Sequence, residues 1–248
     1  MASVAAAAEE IFEIPTRPGV TQPYLLSFEP DQKHDAVALL FSGGDGTVGL
    51  RDRGIPMPGS NFLVRSRGLF LRHGIATAVV DAPSDNHTGM SDPFRAGKDH
   101  AADIAAVIDD VKKRFPGAKI YLVGTSRGTI SAGYAGAALS GRIDGVVLTA
   151  SLFHASRSGL GLSGFDFRAV KTPMLLVHHR QDGCRETPYA PAQSLQAQFP
   201  LISVSGGDVP RSGPCAPFSY HGFLGREESV VGAISAWLLG KPFPKDIQ

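Results

Sequence analysis

The segment Ile120-Tyr-Leu-Val-Gly-Thr-Ser-Arg-Gly-Thr129 leaves few architectures open. Four apolar, strand-favouring residues run straight into Gly124-Thr125-Ser126-Arg127-Gly128, and the small residues Thr129 to Leu139 behind them read as a helix. A strand, a sharp turn with serine at its tip and a helix form the setting that exposes a nucleophilic hydroxyl. Glycine on either side lets the backbone turn tightly and lets helix and strand approach closely. The Ser126 hydroxyl then points away from the sheet over a helix N-terminus, where backbone N–H groups can stabilise an oxyanion. The G-x-S-x-G spacing alone is weak, because a chain with 29 glycines produces it by chance. An ordinary strand-to-helix turn would look the same, so the surroundings must decide.

Those surroundings alternate between strand and helix. Ile11 to Thr16 and Tyr24 to Phe28 predict an antiparallel hairpin about Arg-Pro-Gly. Ala36 to Phe41 is a continuous apolar run, the mark of a buried strand, and ends in Ser42-Gly-Gly-Asp-Gly46. Asn61 to Arg72 predicts a helix stopped at Gly74, and Ile75 to Asp81 another buried strand. The breaker-rich loop 82–93 precedes an amphipathic helix with Ile104, Val107, Ile108, Val111 and Phe115 on one face. Strands follow at Gly145 to Ala150, Met174 to His179 and, last, Leu201 to Ser205; helices are expected over Pro191 to Phe199 and Glu228 to Leu239. This order predicts an α/β fold with a mainly parallel sheet covered on both faces, in a single domain spanning residues 1–248.

Composition excludes other classes. Lys and Arg number 24 against 23 Asp and Glu, a formal net charge of +1 with no basic cluster, which gives no footing for nucleic acid. No apolar run approaches the roughly 20 residues of a membrane-spanning helix. No His, Cys or Asp cluster has metal-ligand spacing and the elbow lacks the Gly-Lys-Ser/Thr of a nucleotide loop, so neither metal nor cofactor is expected. The Ala-rich start lacks the basic and apolar regions of an intact signal peptide; residues 1–9 read as a disordered terminus or as the remnant of such a peptide.

In an open α/β sheet, reactive groups gather at the carboxyl ends of strands. There the chain places the Ser42–Gly46 loop, Ser126, Asp182 after the strand ending at His179, and His221 in the loop before the last helix. Serine, acid and histidine in that order, together with Gly124-Thr-Ser-Arg-Gly128, resemble the α/β-hydrolase superfamily over about residues 10–240. The serine at the elbow resembles its cap-poor esterases and lipases, and departs from the epoxide hydrolase and haloalkane dehalogenase branches, which use Asp there.

The resemblance implies Ser126 as nucleophile, His221 as its base and Asp182 as the acid that orients the imidazole. Competing bases are His178 and His179, inside an apolar strand, and His87 and His100, beside the polar loop. Asp166 and Asp144 precede their strands; Glu186 is the nearest substitute for Asp182. The oxyanion hole would use the N–H of Arg127 and a second from the Ser42–Gly46 loop, with Gly44 first and Asp45 next; Ser42 stands where lipases often have His. The Arg127 guanidinium would pair with a carboxylate, Asp45 or Asp85, or recognise an acidic substrate. If Asp182 meets His221, Cys184 and Cys215 become neighbours, and a disulfide between them is expected, and with it an oxidising, secreted or periplasmic setting.

Only residues 151–172 lie where many relatives insert a cap, too few for a large lid. Phe153, Leu160, Leu162, Phe165 and Phe167 make that stretch an expected apolar wall, with Asp45 and His87 as further pocket residues. An open cleft of that kind suits bulky or chain-like small-molecule esters. The expected activity is carboxylic-ester hydrolysis through an acyl-enzyme. An amide or peptide hydrolase, an acyltransferase and a non-catalytic binding protein on the same fold are the alternatives.

Overall fold

The computed structural model describes residues 7–56, 61–156 and 159–248. Among these described residues nine strands build one sheet: β1 (Ala8–Arg17), β2 (Val20–Phe28), β3 (Ala36–Phe41), β4 (Ile75–Val80), β5 (Lys119–Thr125), β6 (Gly145–Thr149), β7 (Met174–His179), β8 (Leu201–Val204) and β9 (Asp246–Ile247). Their order is β1-β2-β4-β3-β5-β6-β7-β8-β9. The first two strands form the expected hairpin and β2 runs antiparallel to β4; from β4 to β9 every pair is parallel. The helices are α1 (Leu50–Arg53), α2 (Phe62–Leu71), α3 (Asp92–Arg95), α4 (Lys98–Arg114), α5 (Gly128–Ala138), α6 (Tyr189–Leu195) and α7 (Glu227–Leu238).

The continuous apolar runs read as strands because both faces of the sheet are covered. Val37, Leu39, Ile120, Leu122, Val146 and Leu148 pack with Ile104, Val107, Ile108 and Val111 of α4 and with Ala132 and Ala135 of α5. Alternate residues of the same strands, Ala38, Leu40, Val123, Val147 and Leu175, meet Phe62 and Phe70 of α2 and Val230, Val231 and Ile234 of α7.

Three expectations are corrected. Leu201–Ser205 is not the last strand: two residues near the C-terminus, Asp246 and Ile247, pair with Ser203 and Val204 and cover that edge. The helix expected from Pro191 starts at Tyr189, and Pro191 is tolerated in its first turn, where its missing N–H has no helical partner to lose. Residues 1–6 lie outside the described residues, but Ala8 and Glu9, read as part of a disordered terminus, belong to β1. Glu9 accepts hydrogen bonds from Ser27 Oγ (2.7 Å) and Arg67 Nε (2.6 Å), which tie that end of the strand down.

The topology fixes where a site can form. From β3 the chain turns through α2 to β4 on one side, then returns through α4 to β5 on the other. The carboxyl ends of β3 and β5 are therefore adjacent at the switch point, with Phe41 beside Gly124.

Two buried histidines are expected to make the fold less stable in acid. His100 is fully buried against Phe41 and Phe94, and His178 packs between Phe153 and Tyr189. Desolvation pushes His178 down to about 4 and His100 down to about 3, from an ordinary 6.5. Above about pH 6.5 both states of the chain are neutral at these rings. Below it the unfolded chain takes up protons that the folded chain refuses, so stability falls as pH drops through the window. Each ring contributes a slope of up to about 1.4 kcal/mol per pH unit. Urea midpoints measured from pH 7 to 4.5 should fall steadily, and His100→Leu should flatten the profile; a flat wild-type profile would remove these rings from the account.

Candidate active site

The loop after β3 and the turn after β5 meet face to face. Ser126 has a positive φ of 54°, unusual for a residue with a β-carbon and costing about 1–3 kcal/mol. Its backbone is clamped: its N–H donates to Thr149 O (3.1 Å), and its carbonyl accepts from Thr129 N (2.9 Å) and Thr129 Oγ1 (2.6 Å). The flanking glycines serve close approach. A β-carbon on Gly124 would sit 2.4 Å from Gly128 O, and one on Gly128 would sit 2.1 Å from Phe41 O. No larger residue fits where α5 crosses β3 and β5.

Asp182 and His221 come together from loops far apart in the chain. His221 Nδ1 lies 3.0 Å from Asp182 Oδ2, and both side chains are buried. Asp182 Oδ1 accepts from Cys184 N (2.9 Å), and Oδ2 accepts also from Thr187 Oγ1 (2.9 Å). Thr187 Oγ1 stands 3.1 Å from His221 Nδ1 as well, so hydroxyl, carboxylate and imidazole form a closed triangle. With Asp182 accepting, Nδ1 carries the proton and Nε2 is the free lone pair. The His221 N–H donates to Ser219 Oγ (3.2 Å), which anchors the ring's backbone.

The Cys184–Cys215 disulfide is present and links the loop that carries Asp182 to the loop that leads to His221. Ser126, His221 and Cys215 line one half-open cleft of about 230 Å³ with Gly43, Gly44, Asn61, Phe62, Thr125, Pro217 and Gly222. Gly43 and Gly44 are both on its wall, and a β-carbon on Gly43 would stand 2.9 Å from Ser126 Cβ.

Arg127 is paired, but with neither Asp45 nor Asp85. Its Nε and Nη2 donate to Asp92 Oδ1 (2.9 and 2.6 Å), and its Nη1 to Gly44 O (3.0 Å). Asp85 is taken by Arg17 at 2.9 Å, and Asp45 accepts from Thr47 N and Oγ1 within its own turn. Gly44 O accepts from Arg95 Nη2 too (3.3 Å). Arg95 is almost wholly buried, and burial with Arg127 nearby draws its guanidinium down to about 10, still a cation at neutral pH. Two guanidinium groups thus hold the glycine loop from behind.

The expected pocket residues are elsewhere. Phe153 is buried in the core under α5, packed with Phe167 and His178. Leu162 and Phe165 belong to the same core and Leu160 is exposed, and no described residue of 151–172 is among those that line this cleft. An apolar stretch near the site is drawn to the larger apolar surface beneath it. Asp45 is exposed and turned to Thr47, and His87 is exposed with Nδ1 on Ser84 O. Of the other histidines, His179 stacks on Tyr220 at 4.7 Å, with Nε2 on Gly206 O. Asp166 accepts from Arg168 N and Asp144 from Ile120 N, both as backbone caps. Among the described residues, no group of three or more His, Cys, Asp and Glu side chains is placed to hold a metal ion. No described helix is long and apolar enough to cross a membrane.

By sequence, no family model and no curated protein matches this chain. By structure it is similar to the esterase Est1E of Butyrivibrio proteoclasticus, solved with ferulic acid: TM-score 0.64, 16% identity, covering 93% of this chain and 98% of that one. It is similar also to a dienelactone hydrolase of Anabaena variabilis (TM-score 0.63, 16% identity, 95% and 98% covered). A third is an α/β serine hydrolase without a lid from Xanthomonas campestris (TM-score 0.59, 18% identity, 95% and 97% covered). This chain has the α/β-hydrolase fold, with no cap domain between β6 and β7.

Proposed function

We propose that this protein is a serine hydrolase that cleaves carboxylic esters through an acyl-enzyme. The observation that carries the reading is the Asp182–His221 hydrogen bond at 3.0 Å, on the cleft that Ser126 also lines. Ser126 Oγ attacks the ester carbonyl while His221 Nε2 takes its proton, and Asp182 stabilises the imidazolium. The carbonyl oxygen, now negative, is met by the Arg127 N–H at the start of α5 and by the glycine loop after β3. His221 then protonates the leaving alkoxide, and water attacks the acyl-enzyme by the reverse route. Similar folds that are named esterases favour esters over amides as the substrate class. A cleft of about 230 Å³ suits a short or compact acyl group.

The disulfide supports a further part of the reading, that the protein works in an oxidising compartment outside the cytosol.

The test pairs a fluorophosphonate probe with p-nitrophenyl butyrate and palmitate. The expected result is a single label on Ser126 and faster turnover of the butyrate. An unlabelled, inactive protein would return the fold to a binding role. A labelled protein that ignores both esters would keep the nucleophile and move the substrate class to amides or acyl transfer.

A further inference from the structure

Asn61 stands on the wall of the cleft, and the fold uses only one end of its side chain. It precedes the first turn of α2, and its Oδ1 accepts from Leu63 N at 3.2 Å. That bond orients the amide: the oxygen faces the helix, so Nδ2 and its two hydrogens face away from it. No acceptor among the described residues takes a hydrogen bond from Nδ2.

Nδ2 lies near Ser126. The position that a β-carbon on Gly43 would occupy lies 3.3 Å from Asn61 Nδ2 and 2.9 Å from Ser126 Cβ. The amide and the nucleophile are therefore neighbours across the hydrogen atom of Gly43, and any larger residue there would come between them. His221 lines the same cleft. The amide also sits at the positive end of the ten-residue helix α2.

We propose that Asn61 donates a side-chain hydrogen bond to the oxyanion of the tetrahedral intermediate, beside the backbone donors. The proposal rests on the serine-hydrolase reading above. As the Ser126 Oγ–carbon bond forms, the carbonyl π electrons move onto oxygen and the hydroxyl proton passes to His221. Asn61 Nδ2–H donates to that oxygen, and the bond weakens again when the intermediate collapses and the alkoxide leaves with the proton from His221. A neutral amide held by its other end needs no reorganisation as the charge develops, and this is what makes such a donor effective.

The two roles of Asn61 can be separated by substitution. Asn61→Asp keeps the acceptor that caps α2 and replaces the donor with a carboxylate; Asn61→Ser keeps the cap and leaves a shorter hydroxyl. With p-nitrophenyl butyrate, Asn61→Asp should lower kcat about 10²–10³-fold with little change in KM, and Asn61→Ser should fall between it and wild type. Affinity for a boronic acid analogue of the intermediate should fall with kcat, while Tm stays near wild type. Retention of kcat within about threefold in Asn61→Asp, with Ser126→Ala inactive, would overturn the donor role and leave the serine-hydrolase reading standing. An active Ser126→Ala would overturn both. Should Asn61→Asp fold poorly, unchanged kcat and unchanged boronate affinity in Asn61→Ser would reject the proposal.

Discussion

Replacing Ser126 with alanine should lower kcat for ester hydrolysis by about 10⁵-fold while Tm moves little. The backbone clamp does not depend on the side chain: Thr149 O, Thr129 N and Thr129 Oγ1 all hold main-chain atoms of residue 126. Alanine can adopt the same φ at the same cost, so a loss of activity reports chemistry and not folding. On the proposed mechanism His221→Ala should cost about as much, and the double variant no more than either single one, because a nucleophile and its base act as a unit. Parallel measurements of kcat and thermal unfolding check this. Residual kcat above about 1% in Ser126→Ala would mean that another group attacks the substrate.

Breaking the Cys184–Cys215 bond should cost both stability and activity. It closes a separation of 31 residues, for which the chain-entropy model gives roughly 3–4 kcal/mol. For a chain of this size that corresponds to about 10 °C in Tm. The bond is also part of the site: the Cys184 N–H donates to Asp182 Oδ1 at 2.9 Å, and Cys215 lines the cleft. In a reductant titration, activity should fall before far-UV ellipticity does, as the loops of Asp182 and His221 loosen ahead of the sheet. Cys184→Ala/Cys215→Ala should reproduce the reduced state. Unchanged kcat and Tm after two thiols have been titrated would reduce the bond to an accessory of the fold.

What the sequence made legible was what each strand's end carries. Apolar runs, breakers and helical periodicity are local, so the strands from Ala36 to Val204, the elbow and the positions of Asp182 and His221 followed from neighbours in the chain. The disulfide followed one step later, because an acid–histidine contact makes its two cysteines neighbours. Thr187 was invisible: five residues past Asp182 in an irregular loop, a threonine carries no pattern, and only the fold lays its hydroxyl across Asp182 and His221. Asn61 was legible as a helix start, since the cap bond is local, but not as a cleft residue, since its approach to Gly43 and Ser126 is set by sheet order. Asp92 was not foreseen as the partner of Arg127, because nothing local in the chain brings it to that guanidinium; only the fold does. The apolar 151–172 segment misled for a different reason: hydrophobicity says that Phe153 and Phe165 are buried, not against what. β9, two residues long, is shorter than any periodicity can reveal.

The pairing of Arg127 with Asp92 and Gly44 has a consequence for how molecules reach the cleft. The cation beside Ser126 is spent inside the protein, and the described residues that line the cleft include no Asp, Glu, Lys or Arg. An approaching molecule therefore meets a mouth without a strong local field, and encounter is governed by diffusion and shape. Raising the ionic strength from a Debye length of about 30 Å to one of about 3 Å should leave kcat/KM for an uncharged ester almost unchanged. Selectivity of such a mouth lies in what fits, and a charged acyl chain gains nothing there to offset the water it must shed.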